Sequence, residues 1–483
     1  MAILADPGFA LQPSAQQVPT STNYITNFDF LNQYLPDTYE KEFERYGNRT
    51  ISSFLRMVGA EMPSNSDMIK WAEQGRLHIK YTQVGVAAGG AGSVAATFQV
   101  NDAGIPGFTN ANGIAVRAGQ TVMFVANNGG GSNKAVVTSV DTTNNTFAAS
   151  FYEATGQVIA GTGVGSPDFT MFIYGSEFKK GEAGMQGSLE ADDQIFSNTP
   201  IILKDTYTVN GSDMAQIGWI EVTTENGASG FLWYMKSEHE TRLRFDDYLE
   251  TAMIEAVPAE AASGAAIAFG NAGGTDGQGG SEGIFYTVNA RGNVYAGGNP
   301  TTLADFDNVI QRLDKQGAIE ENVLFLNRQF SFDIDDMLAA QNSHGAGGTS
   351  YGLFDNDEEM ALNLGFSGFR RGYDFYKTDW KYLNDPTMRG GLSSVAGSGA
   401  VNGLLVPAGS TTVYDQVLGK NAKRPFLHVR YRASETEDRR YKTWITGSAG
   451  GAATSDIDTM QVNYLSERAV CTMGANNFVI FNA

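Results

Sequence analysis

Between residues 77 and 178 apolar and β-branched residues gather in short runs, Ala95–Val100, Gln120–Ala126, Ala135–Val140, Thr146–Tyr152 and Phe169–Tyr174. Glycine- and asparagine-rich turns separate them, such as Asn127-Asn128-Gly129-Gly130 and Asp141-Thr142-Thr143-Asn144. Short strands at regular spacing with such turns predict a small β-barrel or sandwich. At 237 the texture changes to a helical period. Leu243, Phe245, Tyr248, Leu249, Ala252, Met253 and Ala256 line one face, Ser237 and Glu240 form a capping-box pattern, and Pro258 marks the stop. A second amphipathic helix is predicted over Leu303–Gln316, followed by Gly317, then a buried strand Val323–Leu326 and a helix from Asp333, as its cap, to Gln341. The last 130 or so residues return to strands. These are Tyr373–Trp380, Gly403–Val406, Phe426–Arg432, Arg440–Ile445, Met460–Leu465 and Phe478–Phe481. Residues 177–228 read as a polar, extended β-hairpin, with alternation confined to the end of Pro200–Val209. Short helices are expected near 38–46 and over Ser66–Gln74, the latter ended by Gly75.

Ahead of these elements lies a weakly patterned arm. Residues 1–22 are rich in Ala, Pro, Ser, Thr and Gln, and aromatics such as Tyr24, Phe28, Tyr34, Phe43 and Phe54 follow at loose spacing. Such an arm packs either on its own domain or on another molecule.

Composition changes the picture in one respect. Of 483 residues only 18% are charged, and 53 Asp and Glu outweigh 33 Lys and Arg for a net charge of -20. An average soluble domain carries about 25%. Hydrophobic residues at 42% exclude a disordered chain, one cysteine excludes a disulfide framework, and no run of apolar residues is long enough to span a membrane. The N-terminus lacks the basic and apolar regions of a secretory signal. The acidic balance argues against tight nucleic-acid binding, which needs clustered cations.

Candidate chemistry is sparse, and no catalytic, cofactor-binding or metal-ligating residue is assigned. Gly161, Gly163 and Gly165 lack the lysine and helix of a phosphate loop. The carboxylates Asp355, Asp357, Glu358 and Glu359, and Glu190, Asp192 and Asp193, lack EF-hand spacing and read as solvated loops or caps. His428 in an alternating strand reads as structural, His239 as solvated, and Cys471 as a small core residue. One local feature stands out. Residues 420–442 hold Lys420, Lys423, Arg424, Arg430, Arg432, Arg439, Arg440 and Lys442 against Glu435, Glu437 and Asp438. It reads either as a solvated hairpin or as a basic face toward an acidic partner, with pairing between subunits the expected use.

The order of elements resembles major capsid proteins of tailed phages with the Hong Kong 97-type fold. Ala191-Asp192-Asp193-Gln194-Ile195-Phe196-Ser197-Asn198, then Tyr207-Thr208-Val209-Asn210-Gly211-Ser212, is similar to that family's extended-loop text. Asn32-Gln33-Tyr34-Leu35-Pro36 and Trp71-Ala72-Glu73-Gln74-Gly75-Arg76-Leu77-His78 are most like capsid proteins of crAss-like phages. The resemblance implies an α+β fold in six parts. They are an N-terminal arm (1–76), an inserted β-rich domain (77–176), an extended loop (177–228), a peripheral domain with a long spine helix (229–335), an axial domain (336–425), and C-terminal strands returning to the peripheral domain (426–483). It further implies a non-enzymatic shell protein of the virion, assembled in the host bacterial cytoplasm through hexamers and pentamers into an icosahedral head around double-stranded DNA. Its partners would be many copies of itself, with portal, auxiliary or decoration proteins, packaged DNA touched only weakly, no membrane and no cofactor. The alternatives are another virion component, such as a head fibre, tail or baseplate protein, and an enzyme using two carboxylates on glycans.

Overall fold

A computed structural model describes residues 60–76, 78–89, 93–101, 113–127, 131–154, 169–185, 187, 193–215, 221–223, 229–260, 263–268, 279–317, 319–342, 368–392, 400–415, 420–449 and 453–482. The arm and the helix expected near 38–46 lie outside the described residues. The described residues divide into two compact units: those within 203–250 and 442–465 form one, and those within 60–202, 251–441 and 466–482 the other.

In the second unit, six strands close into a barrel: β3 (Lys80–Ala88), β4 (Ala95–Val100), β5 (Gln120–Ala126), β6 (Ser132–Asp141), β7 (Thr146–Phe151) and β8 (Phe169–Ser176), in the order β3-β4-β7-β6-β5-β8. Period-two alternation turns Phe98, Phe124, Phe147, Val122, Val137 and Met171 inward, all at most 1% exposed. Phe98 sits at the centre, its ring stacked 4.2 Å from Phe124 and 5.5 Å from Phe147, with Phe151 and Phe169 edge-on. Closure leaves no free strand edge. Gly119 turns into β5 with φ +87°, and the Phe178 ring occupies the place of its missing Cβ. A side chain there would meet both strain and ring.

The barrel is carried between the two strands of a ribbon. β2 (Ile69–Gln74) pairs antiparallel with β9 (Asp193–Asn198), from Ile69 opposite Asn198 to Gln74 opposite Asp193. Two expectations change here. Ser66–Gln74 is a strand rather than a helix, because Ile69, Trp71 and Glu73 face inward while Lys70, Ala72 and Gln74 face out. Residues 177–228 are not one hairpin either. β9 pairs back across the barrel to β2, whereas β10 (Ile201–Asn210) hydrogen-bonds to β22 (Thr459–Thr472) in another sheet, and β11 (Glu221–Thr223) pairs with β12 (Ser229–Phe231), which lies just beyond that stretch.

The sheet containing β22 has the order β1-β20-β22-β10, with β1 (Ala60–Ser64) parallel to β20 (Leu427–Arg432). β21 (Lys442–Gly447) pairs with residues 460–465 of β22 in the first unit. There too the long helix α1 (Leu232–Glu255) begins, five residues before the predicted cap. Ser237 is therefore inside the helix, and its carbonyl accepts the Thr241 hydroxyl at 3.0 Å. Phe245 is fully buried 5.7 Å from the Tyr464 ring, and Arg244 pairs with Asp205 at 3.0 Å. Glu255, at the far end of α1 and in the second unit, accepts the Tyr382 hydroxyl at 2.7 Å and the Arg389 guanidinium at 2.9 Å. Burial and that carboxylate push the Tyr382 phenol far above its usual range.

The second unit also holds a mixed six-stranded sheet. Its order is β13 (Asn293–Tyr295), β23 (Val479–Asn482), β17 (Val401–Pro407), β14 (Glu321–Leu326), β16 (Tyr373–Asp379) and β15 (Gly368–Arg371). Helix α2 (Ile284–Arg291) precedes it. Helices α3 (Leu303–Gln316) and α4 (Arg328–Asn342) pack Phe306, Leu313, Phe330 and Ile334 against Leu324, Phe375 and Phe481. Helix α3 keeps its predicted bounds because its signals are local: Thr302 and Asp305 form a capping box and Gly317 closes it at φ +74°. Helix α4 starts earlier than predicted, capped by Asn327, whose Oδ1 accepts the Phe330 amide at 2.7 Å. Asp333 is therefore inside it. The helix runs through the boundary expected at 335/336, and β23 brings the C-terminal strand into the same sheet as β14 and β17.

Tyr373 on β16 donates its hydroxyl to Asp314 of α3. That hydrogen bond to a carboxylate, with burial, raises its pKa to about 12. The folded state thus holds the phenol proton more tightly than the unfolded chain. The stabilisation is complete below the unfolded value near 10 and is lost as pH rises from there through about 12. Tyr373→Phe should flatten unfolding stability across that interval. An unchanged slope between wild type and variant in alkaline denaturation curves counts against the assignment.

Candidate assembly surfaces

The ribbon is anchored on one face only. On the inner face the Arg291 guanidinium lies 4.1 Å from the Phe196 ring centre and 5.7 Å from that of Trp71, and pairs with Glu282 at 2.8 Å. Glu73 accepts the Trp71 indole N–H at 2.9 Å and the Gly474 amide at 2.9 Å. Ile69 packs with Ala469 and Cys471. The outer face is bare, with Ile195 70% exposed opposite Ala72.

At the ribbon's root, Asn198 joins three segments. Its amide donates to the carbonyls of Val470 (2.7 Å) and Glu282 (3.0 Å), and its Oδ1 accepts from the Ser281 hydroxyl (2.9 Å) and the Glu282 and Thr199 amides (both 2.8 Å). Both Asn198 and Ser281 are buried. A buried amide satisfied on every side fixes position well, because each lost bond leaves a desolvated group behind. Sequence reasoning missed Asn198 and Arg291. Their partners are remote in the chain, so no local signal marks them.

Arginines of the basic segment 420–442 form ion pairs within the chain. Arg439 pairs with Glu467 at 2.7 Å and Arg432 reaches Glu467 at 3.7 Å and Asp67. Arg440 pairs with Glu61, and Arg468 of β22 contacts Glu61 at 3.5 Å. Arg468 is 6% exposed and also donates to the Ser466 hydroxyl (2.9 Å) and the Arg440 carbonyl (3.0 Å). These arginines fasten β1, β20 and β22 together. The backbone places Lys420, Lys423 and Arg424 on β19 (Lys420–Pro425), which pairs with β18 (Ser410–Asp415). Lys442 of β21 has its ammonium 5.8 Å from the Trp444 ring.

His428 is buried with Nδ1 3.2 Å from the Pro425 carbonyl, His239 and His78 are exposed, and Cys471 is a buried free thiol. The residues 161–165, 190, 192 and 355–359 lie outside the described residues, as does His344. Among the described residues no group of three or more His, Cys, Asp or Glu is placed to hold a metal, and no helix is long and apolar enough to cross a membrane.

Large apolar side chains are left exposed on thin β elements. On β21 the neighbours Trp444 and Ile445 point to opposite faces and both are exposed, at 37% and 45%. Ile457, in the turn between β21 and β22, is 62% exposed.

No family model and no curated protein matches the chain. Solved structures do. The chain is similar to the capsid of a native GTA particle (9% identity, 96% of this chain and 99% of that one, TM-score 0.41) and to a Microbacterium phage Oxtober96 chain (8%, 95% and 98%, TM-score 0.40). It is also similar to the capsid of cyanophage P-SCSP1u (8% identity, 97% and 99% covered, TM-score 0.36). Likeness at scores this low carries no argument of its own.

Proposed function

We propose that this chain is a shell-forming virion protein, the major capsid protein of a tailed phage with the Hong Kong 97-type fold, most like those of crAss-like phages. It is structural and not enzymatic. Copies assemble in the host bacterial cytoplasm through hexamers and pentamers into an icosahedral head enclosing double-stranded DNA. Portal and auxiliary or decoration proteins are further partners, and the acidic chain touches DNA only weakly. In this reading the β2–β9 ribbon is the extended loop, α1 the spine helix of the peripheral domain, the six-stranded sheet the axial domain, and the barrel the inserted domain.

The observation that carries it is the bareness of thin β elements, the strand β21 on the β22 sheet and the two-stranded β2–β9 ribbon. β21 exposes Trp444 and Ile445 on both faces, and the ribbon exposes Ile195 on one. Two-stranded ribbons are marginal in water, and exposed apolar side chains on them call for a covering surface. A shell whose thin elements lie on neighbouring copies supplies that cover many times over. Electron microscopy of the expressed protein should show rings or closed shells. A preparation that stays monomeric under every assembly condition sinks the proposal.

A further inference from the structure

The barrel's outer wall carries aromatic rings in a row that runs across several strands. Phe172 of β8, Met123 of β5 and Lys134 of β6 stand opposite one another in turn, and the Tyr152 amide donates to the Lys134 carbonyl at 3.2 Å to end the row. Tyr174, two positions along β8 from Phe172 and so on the same face, has its ring centre 6.5 Å from that of Phe172 and 5.6 Å from the Lys134 ammonium. Tyr152 and Tyr174 are 50% and 47% exposed. From Phe172 to Tyr152 the row crosses three strand spacings, about 14 Å. At its Tyr152 end it opens into a cleft of about 860 Å³, within the size range of ligand sites. Phe178 and Met185 give this cleft apolar walls, and Arg117 and Lys179 share its lining with Glu177 and Glu182.

The chain itself holds these walls in place. Glu177 accepts the Tyr152 hydroxyl, and the Phe178 ring fills the space left by Gly119. The Lys179–Glu182 turn is closed twice: the Glu182 amide donates to the Lys179 carbonyl at 3.1 Å, and the Glu182 carboxylate accepts the Lys179 amide at 2.9 Å. The Arg117 guanidinium donates to the carbonyls of Val116 (3.0 Å) and Ile114 (3.4 Å). A ligand would therefore meet groups that need little further ordering, which lowers the cost of binding.

The mixture of charges selects the class of ligand. A strongly acidic ligand meets Glu177 and Glu182, and a strongly basic one meets Arg117 and Lys179. A purely apolar one would strip water from all four. A neutral polyhydroxylated ligand suits both signs at once. Its hydroxyls donate to carboxylates and accept from an ammonium, while the C–H faces of a sugar ring lie on aromatic rings. We propose that the Tyr152 end of this row and the adjoining cleft form a site for a neutral oligosaccharide, its rings stacked on Tyr152 and Tyr174 and its hydroxyls meeting Glu182 and Lys179. The length of the row fits a chain of several sugar units better than one. Every residue of the site belongs to one chain, so the site stands whether or not copies assemble.

Two measurements on the full-length protein test it. First, maltohexaose, cellohexaose and mannohexaose are titrated by calorimetry at low and high salt, with hexaglutamate and hexalysine as charged probes. At least one of the sugars should bind saturably, with the same affinity at both salt levels, because no net charge is exchanged. Y152A/Y174A should weaken that binding by about tenfold or more, whereas Y174F, which keeps the ring, should stay within about threefold of wild type. Saturable binding by none of the three sugars, undiminished binding in the double alanine variant, or tighter binding of either charged peptide than of any sugar overturns the inference. Second, hydrogen exchange of the wild-type protein with and without the bound sugar locates the contact and needs no variant. Slowed exchange is expected in residues 134–138, 151–153 and 177–185. Protection confined to other segments overturns the inference, and this map alone decides if the double variant melts at a different temperature from wild type.

Discussion

Phe98→Ala should unfold the barrel selectively. Phe98 is fully buried and its ring touches four others, so truncation empties the centre of a closed wall that has little means of collapsing inward. The expected loss is about 3–5 kcal/mol. Hydrogen exchange of β4, β5 and β7 should accelerate steeply while that of β14 and β17, which share none of this core, stays near wild type. A milder loss is expected for Phe98→Leu, which keeps most of the volume. Equal acceleration in both regions would mean that barrel and sheet unfold together, contrary to their separate cores.

The second large effect is expected at Arg468. This guanidinium is 6% exposed and bridges Glu61, Ser466 and the Arg440 carbonyl. Arg468→Ala leaves Glu61 with Arg440 as its remaining partner, and takes from the Arg440 carbonyl one of its two donors, the other being the Ser466 hydroxyl at 2.6 Å. Breaking one side of a buried pair typically costs about 3–5 kcal/mol. The sharper test is the comparison with Arg468→Met in a Glu61→Leu background, which removes both charges and keeps the volume. If the penalty comes from unpaired charge, the double variant recovers much of the stability lost in Arg468→Ala. A double variant as weak as the single one points to lost packing as the cause.

Legibility followed the range of the determining interaction. β4, β5 and α3 were readable to the residue, since turn glycines, a capping box and a closing glycine all lie within a few positions of them. Residues 66–74 read as a helix because what makes them a strand is β9, on the far side of the barrel. Ser237 and Asp333 are good cap residues, yet both helices begin earlier, at Leu232 and at Arg328, the latter capped by Asn327. The basic segment was visible as composition. Its main targets are Glu61, Asp67 and Glu467, which only the pairing of β1 and β22 with β20 brings near, so sequence alone could not tell an internal clamp from an external face. Asn198 had no sequence signal at all for the same reason.

The barrel's entry and exit strands are hydrogen-bonded neighbours, with Lys80 opposite Phe172 and Tyr81 opposite Met171. The chain therefore enters and leaves the domain about one strand spacing apart, roughly 5 Å. A domain with adjacent ends behaves as a cassette. A short turn can rejoin β2 to β9 when it is deleted, and any other domain with similarly placed ends can be spliced into the same joint. The ribbon thereby offers a fixed socket through which a lineage can exchange, lose or gain a domain without re-evolving the rest of the chain.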